Sequence, residues 1–134
     1  MIQNKSMARA AKKRWASFYF DLSATTQVKT VIFDPENPIL LHRADLVYTV
    51  VTSADAQTEG IQIGTTAAAA SYMAAYAPLA DTAAGTVTAM TLLIEFVPAN
   101  TPIIISRDAL VGGANTGEVA LVVWYEILDR SPKK

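Results

Sequence analysis

Residues 118–128 show the clearest hydrophobic pattern in the chain. Val119, Leu121, Val123, Tyr125 and Ile127 alternate with Ala120, Val122, Trp124 and Leu128. Side chains alternate between the two faces of a β-strand, so both faces of the predicted strand are apolar. Such a strand is central in a two-layer β structure, or its outer face is covered by another subunit. Residues 39–52 repeat the pattern, with Leu40, Ala44, Leu46, Tyr48 and Val50 predicted on a core face and Arg43, Asp45 and Thr49 opposite. Residues 86–97 predict a third long strand, placing Met90, Leu92, Ile94 and Phe96 on one face and Thr91 and Glu95 on the other.

Shorter β-branched and aromatic runs fill in the rest. Residues 15–20 read as a docking segment and 27–33 as a first core strand, while Ile61 and Ile63 point the same way in a short strand and 103–107 form another. Turns are marked by Pro35 and Pro38, which remove backbone donors and fix φ, by residues 81–85 and by Pro98 and Pro102. The alanine-rich stretch 65–77 is ambiguous. Alanine favours a helix of about three turns ending before Pro78, whereas Tyr72 and Tyr76 flanking Ala74 fit a loop followed by a strand from about Ser71. The second reading agrees with the rest of the chain. The fold class is therefore all-β: a single jelly-roll or β-sandwich of about eight antiparallel strands. That domain is expected over 18–130, with a basic N-terminal arm over 1–17 and a short polar tail over 131–134.

Composition adds an expectation of association. Hydrophobic residues make up 51% and charged residues 17% of 134, against a usual charged share of about 25%. The apolar surplus is expected in contacts between chains. No run approaches the roughly 18 apolar residues of a membrane span, and the N-terminus lacks an apolar signal core. The expectation is a soluble chain made in the cytosol with no membrane partner. The net charge of −1 hides an asymmetry, because Lys5, Arg9, Lys12, Lys13 and Arg14 fall within the first fourteen residues without an acid. All twelve acids lie between Trp15 and Arg130, where they meet only Lys29, Arg43, Arg107 and Arg130 and leave that body at about −8. The arm, with Trp15 at its end, is expected to be ordered by a partner. Too short to hold a helix alone, it could pair with phosphates while Trp15 stacks. The acidic body argues against nucleic acid as the main partner.

Candidate chemistry is sparse. Without cysteine there is no disulfide, thiolate metal site or Cys nucleophile. His42 is the single histidine, which removes multi-histidine metal sites. On a regular strand it would project away from Arg43 and Asp45, and no Gly-x-Ser-x-Gly turn presents a nucleophile, so a structural or interface role is expected. The acids are spread singly, with no Asp-x-Asp-x-Asp calcium loop. Paired carboxylates need only be close in space, which leaves a glycosidase-like jelly roll as the enzyme alternative. Gly112, Gly113 and Gly117 precede a strand, not a helix, so they predict a hairpin connection instead of a phosphate cradle. No catalytic residue, cofactor or metal is assigned.

Several segments are similar to a known group of proteins. Phe18-Tyr-Phe-Asp-Leu22 leading to Val28-Lys-Thr-Val-Ile-Phe33, Ala44-Asp-Leu-Val-Tyr-Thr49 and Ile61-Gln-Ile-Gly64 carry part of the likeness. Leu92-Leu-Ile94, Val97-Pro-Ala-Asn-Thr-Pro102 and Gly117-Glu-Val-Ala-Leu-Val-Val-Trp-Tyr-Glu126 carry the rest. Together they resemble the small jelly-roll structural proteins of tailed bacteriophages. The resemblance implies a non-enzymatic virion protein, assembled in the host cytoplasm, that trimerises as a head-decoration or cement protein on the outer capsid surface. Its implied partners are the major capsid protein, two further copies of itself and other virion proteins or fibres. Lys5, Arg9, Lys12, Lys13, Arg14 and Trp15 would contact the capsid or neighbouring subunits, and Tyr72, Tyr76 and Trp124 are the candidates for the oligomer interface. A fibre-base or receptor-binding module, with loops 53–58 and 109–116 touching a host glycan, is the alternative within the same class.

Overall fold

The structure is a computed structural model, and it describes residues 13–24, 27–54, 59–66, 69–108 and 115–128. Nine strands run in chain order: β1 (Lys13–Asp21), β2 (Gln27–Val31), β3 (Ile39–Val50), β4 (Ile61–Gly64), β5 (Met73–Tyr76), β6 (Val87–Ala89), β7 (Phe96–Val97), β8 (Ile103–Arg107) and β9 (Glu118–Ile127). The first sheet has the order β1-β9-β3-β6, with β7 also on β3, and the second the order β2-β8-β4-β5. Every pairing is antiparallel. Because β6 and β7 both pair with β3, they are two halves of one interrupted strand. Successive strands then alternate between the sheets except for the β4–β5 hairpin within the second, and the last lies beside the first, which is the double Greek key of a jelly roll.

The core lies between the sheets. Phe20, Leu41, Leu46, Tyr48, Val119, Leu121 and Val123 from the first meet Ile61, Ile63, Met73, Ile103 and Ile105 from the second, all essentially sealed from solvent. β9 is central, registered with β1 from Lys13↔Glu126 to Asp21↔Glu118 and with β3 on its other side. Its odd-numbered residues Val119, Leu121 and Val123 are buried as the alternation predicts, and Val122 and Trp124 face outward.

Several expectations need correction. In β3 the core positions are Ile39, Leu41, Ala44, Leu46 and Tyr48, so Leu40 and Val50 do not join the core face. Register shifts at Leu41/Arg43 and Tyr48/Val50 insert His42 and Thr49 as extra residues, and each such bulge reverses the parity of the residues beyond it. The same bulge brings His42 to the outward face with Arg43, against the expectation that they project oppositely. The predicted strand over 86–97 is broken in the middle. Leu93 and Ile94 donate to the Tyr72 carbonyl, Ala74 donates to Thr91, and Leu92 bridges Met73, so this segment leaves β3 and stitches the two sheets together at one edge. The preferred reading of 65–77 holds, with the strand at Met73–Tyr76, where packing of Tyr72 and Met73 into the core overrides the helix propensity of the alanines. Residues 15–20 are no separate docking segment but the body of β1, which begins at Lys13.

Two glycines are required by their surroundings. A Cβ on Gly64 would lie 2.3 Å from the Ala69 carbonyl oxygen, and Gly117, at φ +123°, turns the chain into β9 with the Val51 oxygen 3.0 Å from where a Cβ would be.

Candidate functional site

Chemistry-bearing side chains collect in two places: on the outward face of the first sheet and in a buried cluster at one end of the sandwich. On the outward face, Trp15, Trp124 and Arg43 occupy one cross-strand row. The Arg43 guanidinium carbon lies 4.3 Å from the centroid of the Trp124 ring, and its Nε donates to Asp45 Oδ2 at 3.0 Å. Stacking and the carboxylate together fix the plane of the guanidinium. Beside this row, His42 Nε2 lies 2.8 Å from Glu126 Oε1. Lys13, Arg14, His42, Arg43, Trp124 and Tyr125 line an open cleft of about 380 Å³. Trp15, at 65% exposure, stands next to it, and the row formed by Tyr19, Ala120, Val47 and Val87 continues the apolar surface, with Tyr19 and Val87 more than half exposed. This surface is an aromatic and aliphatic patch with a cationic border.

Of the residues assigned to a partner from the sequence, Lys13, Arg14 and Trp15 therefore sit in β1 at the edge of the sheet, while Lys5, Arg9 and Lys12 lie outside the described residues. Loop 55–58 and residues 109–114, assigned to glycan contact in the alternative reading, also lie outside them. Of the interface candidates, Trp124 faces outward. Tyr72 is buried in the core cluster, and Tyr76 packs against it.

The buried cluster was missed from the sequence. Arg107 is 0% exposed, and its Nη2 lies 3.4 Å from Glu59 Oε1. The same carboxylate oxygen accepts from Asn115 Nδ2 at 3.0 Å, and Arg107 Nη1 donates to the Ala24 carbonyl at 3.3 Å. Burial pushes the Arg107 pKa down, opposed first by the negative charge of Glu59. The cluster joins the end of β8 to the segments before β2, β4 and β9. A signal for it was present: Arg107 has the parity of Ile103 and Ile105 and so points into the core. Among the described residues, no three His, Cys, Asp or Glu side chains are grouped to hold a metal ion.

Tyr48 forms a second buried polar junction. Its hydroxyl accepts from the Leu79 amide at 2.9 Å and lies 3.4 Å from the Tyr76 hydroxyl. Burial, then the Tyr76 hydrogen bond, raise its pKa from 10.0 to about 12. A phenol whose folded pKa is raised stabilises the fold fully below pH 10, and that contribution is lost as pH rises from 10 toward 12. The urea midpoint should accordingly fall across that window, and less steeply in Tyr48→Phe. Equal slopes in the two proteins would contradict this assignment.

No protein family matches the sequence, and no curated protein matches it. Among solved structures, the chain is similar to a chain from the capsid asymmetric unit of cyanophage Pam1, at 15% identity and TM-score 0.46, over 87% of this chain and 86% of that one. A chain from the capsid of Ralstonia phage GP4 gives 15% identity and TM-score 0.47, over 87% and 85%. The coat protein of Tobacco streak virus gives 11% identity and TM-score 0.35, over 92% and 93%. These neighbours are viral capsid proteins. The assignment of the jelly roll rests on the strand order of this chain itself.

Proposed function

We propose that this chain is a non-enzymatic structural protein of a virion, a trimeric decoration or cement protein that binds the outer capsid surface and holds adjacent capsomers together. The observation that carries the reading is the outward face of the first sheet, where Trp15, Tyr19, Val87 and Trp124 leave apolar area open on strands whose opposite face already forms the core. Contiguous exposed apolar surface marks a site of association. Each 100 Å² covered contributes about 2.5 kcal/mol before the costs of association. The basic residues Lys5, Arg9 and Lys12, which precede Lys13 in the chain, add charge pairing with capsid or neighbouring subunits.

Because the described part of β1 begins at Lys13, the test is deletion of residues 1–12, which leaves every described strand whole. The shortened chain should keep the melting midpoint of the full chain and lose occupancy when co-sedimented with purified capsids of the virus that encodes it. Unchanged occupancy would overturn the role of the arm, and labelling of the full chain on tail fibres instead of the head would overturn the cement reading.

A further inference from the structure

The outward face of the first sheet carries opposite charges at its two ends. Where β1 begins and β9 stops, Lys13, Arg14 and Arg43 border the cleft. Two acids share that end, Asp45 bound by Arg43 at 3.0 Å and Glu126 bound by His42 at 2.8 Å and lying directly across from Lys13, so Lys13, Arg14 and Arg43 outnumber them by one. At the other end, about 26 Å away at the usual rise per strand residue, Asp21 and Glu118 are direct cross-strand partners. Asp81 is tied to the same end, its backbone amide donating a hydrogen bond to the Ser53 carbonyl while the Ser53 amide donates to the Thr116 carbonyl. The cations nearest this end are turned inward: Arg107 is buried beside Glu59, and Lys29 Nζ lies 5.5 Å from the centroid of the core ring of Phe20. Like charges directly opposite across two strands destabilise a sheet. Asp21 is held in its ionised form chiefly by hydrogen bonds from the Ser23 side chain and backbone, with a smaller contribution from the inward-turned Arg107 charge, and these lower its pKa. The Glu118 carboxylate accepts from Thr49 at 2.7 Å, a neutral donor. Among the described residues, the fold therefore maintains a carboxylate pair with no outward cation beside it, and a cationic cleft of matching character at the far end of the same face.

We propose that the cationic cleft of one copy of this chain receives the Asp21–Glu118 end of a second copy, with Trp15 and Trp124 covered by the incoming edge. The contact is heterologous, so each chain uses each end once, and in the trimer proposed above three such contacts close the ring. This inference rests on the trimer reading above and names its two surfaces. Charge complementarity selects the partner: the carboxylate pair that matches the cleft belongs to the opposite end of this chain's own sheet.

Sedimentation velocity on the full chain at tens of micromolar tests it. Lys13→Glu with Arg14→Glu, or Asp21→Lys with Glu118→Lys, should weaken association by roughly tenfold or more, as should high salt. All four reversals in one chain should restore it. Trp15→Ser, at an exposed position, should weaken association without moving the melting midpoint. A trimer indifferent to the charge reversals would overturn the head-to-tail contact and leave the trimer standing, as would a folded fourfold variant that fails to reassemble. A wild-type monomer at these concentrations would overturn the trimer reading itself.

Discussion

Replacing Arg107 with leucine is expected to destabilise the fold by about 3–5 kcal/mol, because it leaves the carboxylate of Glu59 buried without its cation. Glu59 is 2% exposed and Arg107 0%, so neither group can reach water without local unfolding. The residual hydrogen bond from Asn115 to Glu59 at 3.0 Å offsets only part of the desolvation. Glu59→Leu should also destabilise the fold, by removing the carboxylate closest to the buried guanidinium. The double replacement Arg107→Leu with Glu59→Leu should recover much of either loss, since a buried ion pair exchanged for packed apolar groups is often close to neutral. Urea titrations of the three variants, with unchanged slope, give the coupling directly. A loss below about 1 kcal/mol for Arg107→Leu would show that the pair is hydrated in solution. The expected magnitude comes from position: the cluster links the end of β8 to Ala24 in the turn before β2 and to the segments that lead into β4 and β9. Its failure would loosen both sheets.

How far the sequence was legible depended on the range of the forces involved. Period-two alternation is local, and it placed the buried face of β9 correctly down to Val119, Leu121 and Val123. In β3 it placed Ala44, Leu46 and Tyr48 correctly but missed at Leu40 and Val50, because inserted residues at His42 and Thr49 shift the register against β9. A bulge is specified by the partner strand and leaves no mark in the alternation of a single strand. The break between β6 and β7 has the same origin, since Leu93 and Ile94 are drawn away by the Tyr72 carbonyl, some twenty residues earlier in the chain. The pairing of Arg107 with Glu59 spans 48 residues, beyond any spacing rule. Parity alone could have shown that a charged residue was entering the core, and therefore that a counter-charge had to be there. For the outward surface, the apolar composition of Ala120, Val122 and Trp124 was readable, whereas the stacking of Arg43 on Trp124 depended on the bulge.

The two faces of β9 should separate sharply under substitution. Leu121→Ala removes a fully buried side chain whose cross-strand neighbours are Phe18 and Leu46. Strands on both sides hold that position, so the gap cannot collapse freely, and the expected loss is about 2–5 kcal/mol. Trp124→Ala removes a larger ring from the opposite face. There the ring packs outward, and the Arg43 guanidinium stacks on it at 4.3 Å, an interaction contributing about 0.5–1 kcal/mol at an exposed site. At dilutions where the chain is dissociated, urea unfolding should therefore rank Leu121→Ala well above Trp124→Ala. At concentrations where the proposed trimer forms, the order of effects on assembly should reverse, with Trp124→Ala shifting the sedimentation boundary while Leu121→Ala, if still folded, shifts it little. Equal destabilisation of the dissociated chain by both changes would mean that the outward face of β9 serves this chain's own stability. The opposite ranking in the two regimes is the signature of a strand with one face in its own core and one face offered to a neighbour.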